Sequence, residues 1–136
     1  MKHGVTEVTE RKKLYHSDLT KKIIASAIEV HRHLGPGLLE SAYEECLCHE
    51  LYLRKVPFER QKALSIDYKG IKLNCGYRMD LVVDGRVVIE LKCVDRILPI
   101  HEAQMLTYLK LSHIRVGLVI NFYTEVLKNG IKRLVL

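Results

Sequence analysis

Leu81-Val82-Val83 and Val87-Val88-Ile89 are apolar at both side-chain parities, and this pattern constrains the fold more than any other feature of the chain. Successive side chains of a strand point to opposite faces, so a strand that is apolar throughout is buried on both. A sheet built around such strands must be covered on each side. Asp80, Glu90 and Lys92 stand at the ends of these runs. Charge in that setting is costly unless it pairs or holds a metal. Two carboxylates and an amine within one hairpin's reach are the groups needed to bind a divalent cation and steady an attacking water. Segment 80–92 is therefore read as a candidate active site.

The rest of the pattern supplies the covering helices. Ser17 or Asp18 can cap a helix running to about residue 34, with Ile23, Ile24, Ala27, Ile28, Val30 and His31 as its apolar side. Gly35-Pro36-Gly37 stops it. A second helix is expected over about 38–54, where Leu39, Ala42, Tyr43, Cys46 and Leu47 recur at helical spacing. After Pro57, residues 58–67 and 71–76 read as strands around a Lys69-Gly70 turn, and 77–83 with 86–94 as the central hairpin. Pro99 precedes a helix over about 100–112; residues 116–120 form a short buried strand, and Asn129-Gly130 turns into a last strand over 131–136. Residues 1–16 hold few apolar anchors and are expected to form a flexible arm, with 17–136 as one domain. The order predicts an α/β sandwich with one mixed sheet.

At 136 residues, 48% of them hydrophobic, the chain suffices for one domain with a real core and is not of disordered composition. No apolar run approaches the roughly 20 residues of a membrane helix. Met1-Lys2-His3-Gly4 leads into polar residues rather than a signal-peptide stretch, so a cytoplasmic protein is expected. The net charge of +6 permits nucleic-acid contact without establishing it, and with no Trp and two Phe there is little to build a stacking platform. Cys46 and Cys48, two apart on a helix, point about 200° apart and cannot grip one ion. Cys75 and Cys93 stand alone, so the four cysteines read as free buried thiols in a reducing compartment.

Glu90 and Lys92, two apart on a strand, share a face. The place of Asp80 depends on the turn. A two-residue Asp84-Gly85 loop pairs Asp80 with Ile89 and gives it the opposite parity to Glu90. A three-residue loop of Val83, Asp84 and Gly85, with Gly85 left-handed, pairs Asp80 with Val88 and makes it a diagonal neighbour of Glu90 on one face. The candidate site thus predicts the longer, bulged turn. The plainer reading is a cross-strand ion pair, Lys92 balancing Asp80 and Glu90 without a metal. The apolar flanks argue for burial, where leftover negative charge favours a cation. On the following helix His101, Gln104 and Tyr108 fall within about 60° of one another, as a solvated stripe or as the wall of a cleft. His101 also suits a helix start. Glu40 opens the second helix, with Tyr43 and Glu44 one turn on. There it can serve the helix dipole or reach the metal site as a further carboxylate.

Gly37-Leu38-Leu39-Glu40-Ser41-Ala42-Tyr43 matches the motif that names the GxxExxY family. Gly76-Tyr77-Arg78-Met79-Asp80, Ile89-Glu90-Leu91-Lys92 and His101-Glu102-Ala103-Gln104-Met105-Leu106-Thr107-Tyr108-Leu109 resemble that family too, in the correct order. The resemblance runs from about Leu19 to the C-terminus, and the family is placed in the PD-(D/E)xK nuclease superfamily. It implies a restriction-endonuclease-like α/β/α sandwich with a central mixed β-sheet, and a divalent-metal-dependent nuclease. Asp80, Glu90 and Lys92 match the acidic, acidic and lysine positions of the superfamily core. Gln104 and Tyr108 match the QxxxY helix motif of the RecB-type exonuclease branch, and Glu40 matches an acidic residue that an early helix often contributes. Met79 stands where the superfamily name has a proline, a residue that shapes the strand and does no chemistry.

On that reading Asp80, Glu90, the Leu91 carbonyl and Glu40 hold Mg²⁺ or Mn²⁺ through hard oxygen ligands. Lys92 orients a hydroxide or offsets charge on the phosphorane, and Gln104 positions Lys92 or a phosphate oxygen. Tyr108, His101 and Tyr43 are candidate substrate contacts. Arg60, Lys62, Arg78 and Arg96 would track a nucleic-acid backbone, DNA before RNA, with no membrane partner and with a homodimer as the form that covers two strands. Two rivals share these residues: a non-catalytic module that keeps the fold and binds nucleic acid or protein, and a metal-dependent hydrolase of a small phosphoester.

Overall fold

Helices α1 (Ser17–Leu34) and α2 (Glu40–Leu53) open the described part of the chain, residues 15–136 of a computed structural model. The arm expected over 1–16 lies outside the described residues except for Tyr15 and His16. His16, left-handed at φ 55°, precedes α1 without a side-chain cap, so Ser17 and Asp18 sit in the first turn rather than before it. The second helix starts at Glu40, two residues later than expected, because Leu39 is extended and Tyr43 ties the linker down. The Tyr43 hydroxyl donates to the Gly35 carbonyl at 2.5 Å and accepts from the Leu38 N–H at 3.1 Å.

Five strands form one sheet: β1 (Phe58–Ala63), β4 (Arg78–Val83), β5 (Val87–Lys92), β6 (Val116–Asn121) and β7 (Ile131–Val135), in spatial order β1-β4-β5-β6-β7. Among the described residues only the β5–β6 pair is parallel, and α3 (Pro99–Ser112) provides the crossover such a pair needs. Odd positions of β5 (Val87, Ile89, Leu91) pack with Ile23, Ala27, Tyr43, Leu47 and Leu51 of α1 and α2, while Val88 packs with Met105, Tyr108 and Leu109 of α3. Both faces are covered, as the two-sided apolar runs require. The result is an α/β/α sandwich with a mixed sheet, the restriction-endonuclease-like arrangement. On the α3 side the approach is close at Gly117, where an added Cβ would lie 2.4 Å from the Met105 sulfur.

The long strand expected over 58–67 is broken. Leu64 turns into the α3-side core, its N–H bonded to the Tyr77 carbonyl at 2.9 Å, and the chain leaves the sheet. Beyond it β2 (Ile66–Tyr68) and β3 (Ile71–Leu73) pair only with each other, around the Lys69-Gly70 turn. The four cysteines are free, but only Cys48 is buried; Cys46 and Cys93 are half-buried and Cys75 is exposed. Among the described residues no helix is long and apolar enough to cross a membrane.

Candidate active site

The β4–β5 hairpin pairs Leu81 with Ile89, Val82 with Val88 and Val83 with Val87. Its loop is therefore Asp84-Gly85-Arg86, one residue further along than the Val83-Asp84-Gly85 loop expected from the pattern. Val83 is fully buried and β-branched, and stays in the ladder. Asp84 and Gly85 take the left-handed positions, at φ 51° and 65°, and the Arg86 N–H closes the turn on the Val83 carbonyl. Continuing this register sets Asp80 opposite Glu90 rather than opposite Val88. In a regular ladder the two acids would then be direct cross-strand partners rather than diagonal neighbours.

The ladder itself stops at Leu81–Ile89. By alternation Met79 should face α1 and α2 together with Leu81, yet it packs in the α3-side core beside Val82. The pleat of β4 is thus interrupted at Asp80, one residue after the position where the superfamily name carries proline. β1 is irregular at the same level. Its register with β4 skips the rung between Gln61 and Asp80, and Gln61 has φ 48°. The freed Asp80 carboxylate fills the gap between strands: its Oδ2 accepts the Leu91 N–H at 2.8 Å, and its Oδ1 lies 3.4 Å from the Gln61 amide nitrogen.

Glu90 is 7% exposed, and its Oε1 is the buried side-chain polar atom left without a hydrogen-bond partner among the described residues. Burial, and then the facing Asp80 carboxylate, push its pKa up to about 9, against the pull of Lys92. Lys92 is half-buried at the end of β5, on the same strand face as Glu90. Glu40, in the first turn of α2, is raised by partial burial and by the charge on Asp80, again opposed by Lys92. Asp80, Glu90, Lys92 and Glu40 therefore share one electrostatic neighbourhood. Even so, no group of three or more His, Cys, Asp and Glu side chains forms a metal cluster among the described residues.

An unpaired buried carboxylate oxygen beside a second carboxylate fits a small hard cation. Mg²⁺ commonly takes one or two protein carboxylates and completes its octahedron with water and phosphate oxygens. Asp80 and Glu90 meet that requirement without Glu40. Along the α3 wall the Gln104 amide donates to the Tyr108 hydroxyl at 3.0 Å, and Tyr108 is raised by burial and by Glu90. Both line an open apolar groove of about 400 Å³ together with Ile66, Tyr77, Ile100 and Leu111.

Other expected members are placed elsewhere. His101 closes the start of α3, its Nδ1 accepting the Leu98 N–H at 2.9 Å. Tyr43 is fully buried, stacked on Phe122 at 4.3 Å, with its hydroxyl spent on the α1–α2 linker. Arg60 is bound to Glu44 and Glu45, at 2.8 and 3.1 Å, and Lys62 to Glu59 at 3.1 Å. Arg78 donates to the Gln61 carbonyl at 3.1 Å, while Arg96 is exposed.

Asn121 and Gln61 were not singled out by sequence reasoning. Asn121, 1% exposed, pairs with Lys92 across the sheet and grips the Val94 backbone from both sides: Nδ2 donates to its carbonyl at 2.8 Å, and Oδ1 accepts its N–H at 3.1 Å. It thereby fixes the exit of the strand that carries Lys92. An Asn closing the apolar run 116–120 repeats the signal that marked Glu90, and could have been found by it. Gln61 sits among the polar residues of an edge strand, where nothing distinguishes it.

A family model described as the PD-(D/E)XK nuclease superfamily matches residues 17–134. No curated protein and no solved structure matches the chain.

Proposed function

Since the chain belongs to the PD-(D/E)XK nuclease superfamily, we propose that it is a divalent-metal-dependent nuclease hydrolysing phosphodiester bonds of DNA or RNA, of the GxxExxY group. The observation that carries the reading is the unpartnered Glu90 Oε1 set against Asp80, with Lys92 two residues on. Asp80, Glu90 and the Leu91 carbonyl would hold Mg²⁺ or Mn²⁺. When bound, the ion supplies Lewis acidity toward the phosphate and lowers the pKa of a water. The Leu91 N–H keeps the Asp80 carboxylate aimed into the gap between β4 and β5. Lys92 offers three donors and a compact positive charge on the same face as Glu90, suited to orienting a hydroxide or to meeting charge that develops on the phosphorane. Gln104 and Tyr108 present an amide and a hydroxyl on the α3 wall for a phosphate or sugar oxygen.

The test is cleavage of labelled single- and double-stranded DNA and RNA with Mg²⁺ or Mn²⁺. Wild type is expected to cut at least one substrate, and Asp80→Ala, Glu90→Ala and Lys92→Ala are each expected to abolish cutting while remaining folded. Binding of nucleic acid with no cleavage of any substrate would instead make the chain a non-catalytic module on the same fold.

A further inference from the structure

Gln61 is held in a conformation that an edge strand does not need. A left-handed glutamine inside a strand is strained, and such strain persists only where surrounding contacts impose it. The contacts are on both sides of the residue. Its carbonyl, turned out of the β1–β4 ladder, accepts the Arg78 guanidinium at 3.1 Å. Its amide donates to the Glu44 Oε1 at 2.7 Å and points toward the Asp80 Oδ1 at 3.4 Å. Glu44 is buried and held from its other oxygen by Arg60 at 2.8 Å. The chain of contacts runs from the α2 helix through Gln61 to the Asp80 carboxylate.

We propose that Gln61 is a positioning residue for Asp80, fixing Oδ1 from the β1 side while the Leu91 N–H fixes Oδ2, so that the carboxylate is preset for a divalent cation. The proposal rests on reading Asp80 and Glu90 as metal ligands. Outer partners of this kind set the orientation of a ligand, and their loss commonly weakens metal binding by about 10–100-fold. Glu44 has a structural share in this. Its charge is taken up by Arg60 and Gln61, and it is thereby kept as an anchor for the amide rather than as a further ligand.

Glycine separates the positioning role from a merely structural one, because it takes φ 48° without steric cost and deletes the amide. The experiment compares full-length wild type with Gln61→Gly by calorimetric titration with Mn²⁺ and by urea denaturation in EDTA. Expected is metal-free stability close to wild type, relief of the left-handed strain offsetting the lost bond to Glu44, with Mn²⁺ affinity reduced about tenfold. In the cleavage assay kcat falls at low Mn²⁺ and recovers at saturating Mn²⁺. Gln61→Asn, which tolerates the left-handed backbone but is one methylene too short, is expected to behave alike. Wild type that binds Mn²⁺ no better than both variants overturns this proposal alone. Wild type that binds no Mn²⁺ overturns the metal-site reading and this proposal with it. Failure of both variants to fold also overturns it, since releasing the strain should not cost the fold.

Discussion

Replacing Glu90 by Gln should stabilise the metal-free protein at neutral pH, although it removes a candidate catalytic group. Glu90 is 7% exposed and its pKa is pushed up to about 9, whereas an ordinary glutamate titrates near 4.5. Folding without metal at neutral pH therefore takes up a proton. For a raised carboxyl the contribution to stability is present below the unfolded value and is lost as pH rises toward the folded one. Between pH 5 and pH 7 the unfolded glutamate becomes fully ionised while the folded one stays protonated, which costs about 2.5 kcal/mol. That figure depends on the unfolded value alone, so long as the folded one stays above neutrality. Glutamine does not titrate, so Glu90→Gln should remove this slope and exceed wild type by up to about 3 kcal/mol at pH 7. Urea denaturation of both proteins in EDTA at pH 5, 6 and 7 measures it, and the difference cancels the titration of all other groups. Added Mg²⁺ should raise wild type by about 2.7 kcal/mol at a hundredfold excess over Kd and so close most of that difference, because binding discharges the proton and stabilises wild type. A difference between the two proteins that does not change with pH would refute the reasoning.

Lys92→Ala should lower kcat by about 10²-fold or more and leave Mn²⁺ affinity unchanged or tighter, since a cation leaves the site; steady-state cleavage and calorimetry measure the two. Asn121→Ala removes the grip on the Val94 backbone and should destabilise by about 1–3 kcal/mol in urea denaturation, with the cleavage rate falling as the β5 exit loosens. Tyr43→Phe should lose about 1–2 kcal/mol, because the Gly35 carbonyl and Leu38 N–H lose their partner, while kcat and KM for nucleic acid stay at wild-type values. A raised KM in that variant would return Tyr43 to the substrate.

Burial on both faces is a strong demand, and so the layers and the place of β4 and β5 were legible in Leu81–Val83 and Val87–Ile89. Side-chain period then put Glu90 and Lys92 together without knowledge of any partner strand. The turn was legible in type but not in position. Asp84-Gly85 announces left-handed residues, but whether Val83 or Arg86 joins them is settled by burial of Val83 in the α1–α2 core, a tertiary effect. Tyr43 lies in the core for a related reason. Its spacing from Glu40 suggests a common cleft, whereas stacking on Phe122, far off in sequence, draws it into the core. Gln61 left no trace because a polar residue on an edge strand is ordinary, and only the missing rung opposite Asp80 gives it meaning.

The interruption at Gln61 and Asp80 has a physical logic of its own. A regular ladder carried one rung further would hold the Asp80 and Glu90 side chains on one buried face as cross-strand neighbours. Two carboxylates there cannot both be charged at low cost. Breaking the pleat gives the Asp80 carboxylate the Leu91 N–H as a partner while it still faces Glu90. Glu90 keeps the apolar setting and takes the proton. One pair of like residues thus acquires two environments, and the oxygen left unpaired in the drier one is where a cation gains most. The backbone irregularity and the buried orphan oxygen are two aspects of one arrangement, so a change that restores a regular rung at 61 and 80 should weaken metal binding even with every acid retained.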